Sequence, residues 1–268
     1  MKQNPGKPQR FLCIDVGNTQ MVFGLYHGTT LKAHWRLSSN HQLTSDELSW
    51  QLFGMFSQFE HDPKALDGIM VASVVPHLDD VLKDACIQTC AQTPAFIGSP
   101  KVKTGIAIDY KNPKEVGADR VVNALAAREL FGAPAMVLDC GTATTFDVIS
   151  PDGRYAGGLI IPGIEVALEA LSKRAAKLPE VAIAPVDTLI GKDTVSSMQA
   201  GVYWSAVDGL NGIITRLLHE DGYAQAAIIA TGGLAEKLKP DMPSVQHVEP
   251  HLTLKGILLV AEKHFKHG

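Results

Sequence analysis

With 268 residues, 46% of them hydrophobic and 19% charged, the chain has material for one large or two small globular domains, and a mostly disordered polymer is excluded. It contains no run of eighteen apolar residues, so no membrane-spanning helix is expected. Twenty-four basic residues against twenty-eight acidic ones give a net charge of -4, which supplies no general attraction to nucleic acid or anionic membranes and favours a small-molecule partner.

The opening Met1 to Arg10 is polar, lacks the apolar core and cleavage site of a signal peptide, and is expected to be a short solvated tail of a cytoplasmic protein. Phe11 to Ile14 is an apolar run stopped by Asp15-Val16-Gly17-Asn18-Thr19, and Met21 to Tyr26 is a second run closed by His27-Gly28, which reads as strand, turn, strand. Leu31 to Leu37 continues as a third strand. Thr44 and Glu47 then form a capping box ahead of Leu48, Leu52, Met55, Phe56 and Phe59, spaced to share one helix face. Ile69 to Val75 reads as a strand ending at Pro76, followed by a helix over Leu78 to Cys90 and a short strand around Phe96. Strands alternating with helices mark an α/β fold.

Beyond Asn112-Pro113, a helix is expected from near Asp119, with Val122, Leu125, Ala126 and Leu130 on one face until Gly132. The opening pattern then returns. Ala135 to Leu138 is stopped by Asp139-Cys140-Gly141-Thr142, Thr145 to Ile149 is the return strand, and Tyr155 to Ile161 is a third. A long helix over Thr194 to Glu220, a strand at Ala227 to Ala230, the turn Thr231-Gly232-Gly233, a short helix and a last helix over Leu254 to His264 complete the chain. Two Asp-x-Gly turns, each followed by threonine and nearly half the chain apart, argue for an internal duplication. The expected division is a tail at 1–10 and halves at 11–132 and 133–268, closely packed with a cleft between them.

A strand ending in Asp-x-Gly, with the chain turning straight back, exposes backbone N–H groups and a hydroxyl beside one carboxylate, which suits a phosphate with its cation. A single copy reads equally as an ordinary hairpin turn. Two copies at equivalent points favour phosphate, and the arrangement resembles the phosphate clamp of the actin, sugar-kinase and heat-shock ATPase superfamily, with Thr231-Gly232-Gly233 matching its adenosine loop. The fold expected is therefore a duplicated actin-like ATPase (ribonuclease H-like) fold.

Within that superfamily the resemblance narrows at Tyr110 to Arg120 (YKNPKEVGADR), joined by Asp15 to Thr19 (DVGNT), Ser73 to Pro76 (SVVP), Asp139 to Thr145 (DCGTATT), Gly157 to Gly163 (GGLIIPG) and Ala230 to Leu234 (ATGGL). In these motifs the chain resembles type III pantothenate kinases. The resemblance implies transfer of the γ-phosphoryl group of ATP to the primary hydroxyl of pantothenate, the first committed step of coenzyme A synthesis. A catalytically weak relative serving as an accessory binding protein is the competing reading, and the retention of Asp15, Asp119, Arg120 and Asp139 speaks against it.

The resemblance also assigns residues. Asp119 is the general base, since the acceptor hydroxyl must be oriented and relieved of its proton; by itself it also reads as a helix cap. Arg120 is expected to keep that carboxylate ionised and to suit the pantothenate carboxylate, whereas alone it reads as a surface arginine. Tyr110, Gly117, Ala118, Asp119 and Arg120 line the pantothenate pocket, with Thr194, otherwise a helix cap, reaching it from the later helix. Asp15, Val16, Gly17, Asn18, Thr19, Gln20, Met21 and Val22 map onto the ATP phosphate loop, Asp15 meeting hydrated Mg2+; Thr142 matches an ATP contact and Asp139 the ligand of a monovalent cation, K+ or NH4+. Departures from the commoner family pattern at Gln20-Met21 and Val202 to Asp208 touch nucleotide affinity and packing or the interface.

Small residues at Ser197, Gly201, Ser205 and Gly209 give the long helix one narrow face. Spacing alone leaves an intrachain and a dimer contact equally open, and the resemblance to a dimeric family favours a homodimer. Cys13, Cys86, Cys90 and Cys140 show no Cys-x-x-Cys spacing and are expected to be reduced and buried. His247 and His251 are spaced for a metal pair, but Pro250 interrupts the helix that the spacing requires. Asp147 reads as a turn or surface residue without a role.

Overall fold

The computed structural model describes residues 9–175, 177–184, 186 and 188–266, so most of the expected N-terminal tail lies outside the described residues. It divides into two compact units. One comprises residues up to 105, 112–126 and those from 253 on; the other comprises 106–111 and 127–252, so the units interleave in sequence.

In the first unit, strands β1 (Arg10–Val16), β2 (Gln20–His27) and β3 (Thr30–Ser38) form an antiparallel meander, and β4 (Gly68–Ser73) and β5 (Ala95–Phe96) add to β1 in parallel. The sheet order is β3-β2-β1-β4-β5. Helix α1 (Ser45–Gln58) begins at the expected capping box: the Thr44 hydroxyl accepts from the Glu47 amide at 3.3 Å, and the Thr44 amide donates to the Glu47 carboxylate at 2.9 Å. It buries Leu48, Leu52 and Phe56, while Met55 and Phe59 are only partly covered. Trp35 of β3 lies parallel to Phe23 at 5.4 Å and edge-on to Phe56 at 5.8 Å, joining sheet to helix.

Strand β4 stops at Ser73 rather than Val75, because the Ser73 hydroxyl accepts from the Val75 amide at 3.2 Å and turns the chain. Helix α2 (Pro76–Cys90) then opens with Pro76 in its first turn, where a missing N–H is harmless. The last helix, here α7 (Leu252–Lys266), closes this unit: Phe265 stacks on Phe11 at 5.7 Å. Gly256 allows α7 to approach α3 (Ala118–Phe131) closely, since a Cβ there would stand 2.1 Å from the Val122 carbonyl oxygen. Val122, Leu125 and Ala126 of α3 are buried as expected, but Leu130, past the packed part of the face, is exposed.

The second unit repeats the first. Strands β6 (Ala135–Cys140), β7 (Ala143–Ile149) and β8 (Tyr155–Pro162) form an antiparallel meander, and β9 (Ala227–Thr231) and β10 (His247–Val248) add in parallel, giving β10-β9-β6-β7-β8. Read from β6, this is the order of the first sheet, and the duplication inferred from the Asp-x-Gly turns is present strand for strand. Helices α4 (Ile164–Arg174) and α5 (Thr194–Leu218) pack against it, with Ile164, Tyr203, Val207, Leu210 and Ile214 in the core, and α6 (Ala235–Leu238) follows β9. Helix α4 and strand β10 are absent from the sequence reading. For α4 the signal is present, since Ile164, Ala167, Leu168 and Leu171 stand at i, i+3, i+4 and i+7, whereas a two-residue strand carries no periodicity.

Candidate active site

Asp15 and Asp139 occupy equivalent register positions. Asp15 pairs with Val22 on one side and Ala72 on the other; Asp139 pairs with Thr145 and Thr231. Each half-buried carboxylate thus sits near the end of a central strand, just before the chain turns back.

In the first loop the Gly17 amide donates to the Gln20 carbonyl at 3.0 Å, and a Cβ on Gly17 would crowd that oxygen at 3.2 Å. The Val16 carbonyl accepts from the Val74 amide of the SVVP segment at 3.0 Å, which fixes the loop to β4. Asn18, Thr19 and Gln20 are exposed, Val22 is half-buried, and Val16 and Met21 belong to the core beneath, so the eight residues assigned to nucleotide divide into a presented turn and its anchors. Ser39, absent from the sequence reading, also binds this loop. The polar run Ser38-Ser39-Asn40 after a strand looks like any turn, so the sequence holds no signal for it.

In the second loop the Cys140 carbonyl accepts from the Leu234 amide at 3.3 Å and the Thr142 carbonyl from the Gly163 amide at 3.2 Å. Gly232, at φ +89°, lies so close that a Cβ would stand 2.6 Å from Oδ1 of Asp139, and one on Gly163 would stand 2.2 Å from the Thr142 carbonyl oxygen. The GGLIIPG and ATGGL motifs therefore brace the loop that carries Asp139 and the exposed Thr142. Val202 to Asp208 lies on α5, where Tyr203 and Val207 enter the core and the Tyr203 hydroxyl donates to Asp241 at 2.5 Å; at these two positions the departure concerns packing within this unit, while Ser205 is exposed.

Asp119 stands in the first turn of α3. Gly117 accepts the first helical bond, from Val121 at 3.1 Å, so the cap position is Gly117 and not Asp119. The Asp119 carboxylate accepts from the Arg120 amide at 2.8 Å. Burial raises its pKa from the ordinary value, outweighing the Arg120 amide bond and the Arg120 charge, which both pull it down. Arg120 thus pulls toward the ionised form, in the expected direction, while desolvation is the larger influence. Arg120 is itself buried, which excludes a surface arginine.

Tyr110 is carried by a segment stapled to β8. The Tyr155 amide donates to the Ala107 carbonyl at 2.9 Å and the Asp109 amide to the Tyr155 carbonyl at 2.8 Å. The rings of Tyr110 and Tyr155 lie 6.3 Å apart, and beside Tyr110 the chain passes through Gly157 at φ +123°, a backbone conformation that residues with a side chain rarely adopt. Asp147 is not a turn or surface residue. It is fully buried within β7 and accepts from the Tyr155 hydroxyl at 3.2 Å. Thr194 is the exposed first residue of α5, and the cap is its neighbour: Asp193 accepts from the Ser196 amide at 2.9 Å. Gly117 and Ala118 are half-buried. His247 stacks against Phe131 at 4.7 Å, an aromatic contact.

The described residues include no group of three or more His, Cys, Asp or Glu side chains placed to hold a metal. Single carboxylates such as Asp15 and Asp139 nonetheless suit cations that take most of their ligands from phosphate and water.

A family model described as type III pantothenate kinase matches residues 11–216. The chain is 47% identical over 252 residues to a type III pantothenate kinase of Moorella thermoacetica, covering 94% of this chain and 98% of the relative. It is 43% identical over 249 residues to that of Listeria monocytogenes, covering 93% and 95%. Among solved structures, the activator of the 2-hydroxyisocaproyl-CoA dehydratase from Clostridium difficile, with bound ADPNP, matches at TM-score 0.56 and 10% identity, over 97% of this chain and 95% of the other. MreB 5 of Spiroplasma citri, bound to AMPPNP, matches at TM-score 0.53 and 13% identity, over 95% of each chain. These likenesses show the duplicated actin-like fold.

Proposed function

The chain belongs to the type III pantothenate kinase family, and on that footing we propose that it transfers the γ-phosphoryl group of ATP to the primary hydroxyl of pantothenate, giving 4'-phosphopantothenate, with Asp119 as general base. The observation that supports Asp119 in this role is its carboxylate, held over Gly117 and with its pKa raised by burial. Phosphoryl transfer asks the protein for positioning and charge more than for covalent chemistry. A carboxylate made more basic by burial is suited to accept the hydroxyl proton as the oxygen attacks. The buried Arg120 guanidinium suits the pantothenate carboxylate, and Tyr110, Gly117, Ala118 and Thr194 complete the acceptor site.

The loop from Asp15 to Val22 takes the nucleotide phosphates, joined by Thr142 of the second loop. Asp15 would hold hydrated Mg2+ and Asp139 a monovalent cation, K+ or NH4+; these ions neutralise phosphate charge that the carboxylates would otherwise repel. A homodimer is proposed on the α5 stripe. Ser197, Gly201, Ser205 and Gly209 are all exposed, and added Cβ atoms at Gly201 and Gly209 meet nothing within 4 Å, so the described residues of the chain do not cover that face. Val166 and Leu171 on α4 and Leu189, Ile190 and Val195 around the start of α5 add exposed apolar surface in the same unit. The cytoplasm is the proposed compartment, in keeping with four free, buried cysteines; among the described residues no helix is long and apolar enough to cross a membrane.

Purified protein incubated with MgATP and pantothenate, in parallel in potassium and in sodium buffer, tests the reaction. Potassium-dependent phosphopantothenate formation is expected. No product in either salt at high concentrations of both substrates would overturn the assignment.

A further inference from the structure

We propose that Ser39 is a positioning residue for the nucleotide phosphates, holding the Asp15–Val22 loop so that its amides face the anion. The inference rests on reading that loop as the phosphate loop. Ser39 follows β3 and makes two bonds to the turn: its hydroxyl donates to the Gly17 carbonyl at 2.5 Å, and its amide donates to the Thr19 carbonyl at 2.9 Å. In a planar trans peptide the C=O and the following N–H point to opposite sides. Fixing the carbonyls of Gly17 and Thr19 toward Ser39 therefore aims the N–H groups of Asn18 and Gln20 the other way, and both of these residues are exposed.

The remaining contacts fit the same plan. The Val16 carbonyl is taken by Val74 and the Gln20 carbonyl by Gly17, so with the two that Ser39 holds, four of the loop's carbonyls are engaged by protein donors and not presented to an anion. In a closed two-residue hairpin the Gly17 carbonyl would accept from the Gln20 amide. Here the Ser39 hydroxyl takes that carbonyl.

The test compares Ser39→Ala and Ser39→Thr with the parent protein, reading MgATP affinity by calorimetry, the KM for each substrate, and the melting temperature. Loss of one hydroxyl bond is expected to weaken MgATP binding by about three- to tenfold in Ser39→Ala. The pantothenate KM and the melting temperature are expected to stay close to the parent values, and Ser39→Thr, which keeps the hydroxyl, to restore affinity. Unchanged MgATP affinity in Ser39→Ala overturns the proposal, as does an equal loss for pantothenate or a fall in melting temperature that accounts for the weaker binding. If the parent makes no phosphopantothenate but binds MgATP in a Ser39-dependent way, the kinase assignment fails and Ser39 stands.

Discussion

A Cβ on Gly117 would stand 2.4 Å from Oδ1 of Asp119, so the carboxylate occupies the space that any other residue at 117 would fill. Gly117→Ala is therefore expected to keep the fold and displace the base. Misplacement on this scale lowers turnover by roughly tenfold to a hundredfold. Steady-state kinetics beside a thermal melt check it, and unchanged kcat would show that the carboxylate position is not critical.

Asp119→Asn is expected to lower kcat by on the order of a hundredfold or more with MgATP affinity largely intact. Stability should move the other way. Because the folded pKa is raised, the folded state binds more protons than the unfolded state between the ordinary carboxylate pKa and the raised value, and stability falls as pH rises through that window. The ionised carboxylate thus weakens the fold at neutral pH, and Asp119→Asn should melt at or above the parent temperature. In the parent enzyme, kcat/KM for pantothenate should fall on acidification at a higher pH than an exposed carboxylate would dictate. Melting curves and a pH–rate profile decide both points.

Gly232→Ala places a side chain at φ +89° and against both Asp139 and the Cys140 backbone. A cost of about 1 kcal/mol or more is expected from the backbone conformation. If Asp139 holds the monovalent cation, the potassium concentration giving half-maximal rate should also rise. Potassium titration of the reaction reads this, and a purely thermal effect would separate Gly232 from the cation.

At Gly201, Leu would replace a poor helix former on an exposed face, a change that favours the helix by up to about 1 kcal/mol. Light scattering on Gly201→Leu should nonetheless show a weakened dimer if the α5 stripe is the interface. A dimer of unchanged mass and stability would remove the stripe from that role.

The duplication was legible because a strand-ending Asp-x-Gly is a local event, and two such events each reappear at the same register in matching sheets. Thr44 and Glu47 were legible for the same reason: both halves of a capping box lie within one turn. What escaped depends on distant neighbours. Asp147 carries no mark of burial, since its surroundings come from Tyr155 on the next strand. Ser39 lies 22 residues from the carbonyl it binds. Arg120 read alone as a surface residue, and the direction of the Asp119 shift depends on how deeply the helix start is covered, a property of the packed unit. Tyr203 shows the converse: a departure from the family pattern resolved into a hydrogen bond with Asp241, from a segment far along the chain.

The four cysteines also bear on how this protein can be studied. Burial pushes the thiols of Cys90 and Cys140 up to about 12, from a reference of 9.0, and raises those of Cys13 and Cys86 as well. At Cys90 and Cys140 that leaves about a thousandfold less thiolate at neutral pH, and all four sulfurs are shielded from reagents in the folded state. A cysteine introduced on the surface away from the α5 stripe, at the exposed Ser57 for example, would react with maleimides or disulfide probes while the native thiols stay silent. Site-specific labelling and cross-linking can start from the wild-type background without first removing a single native cysteine.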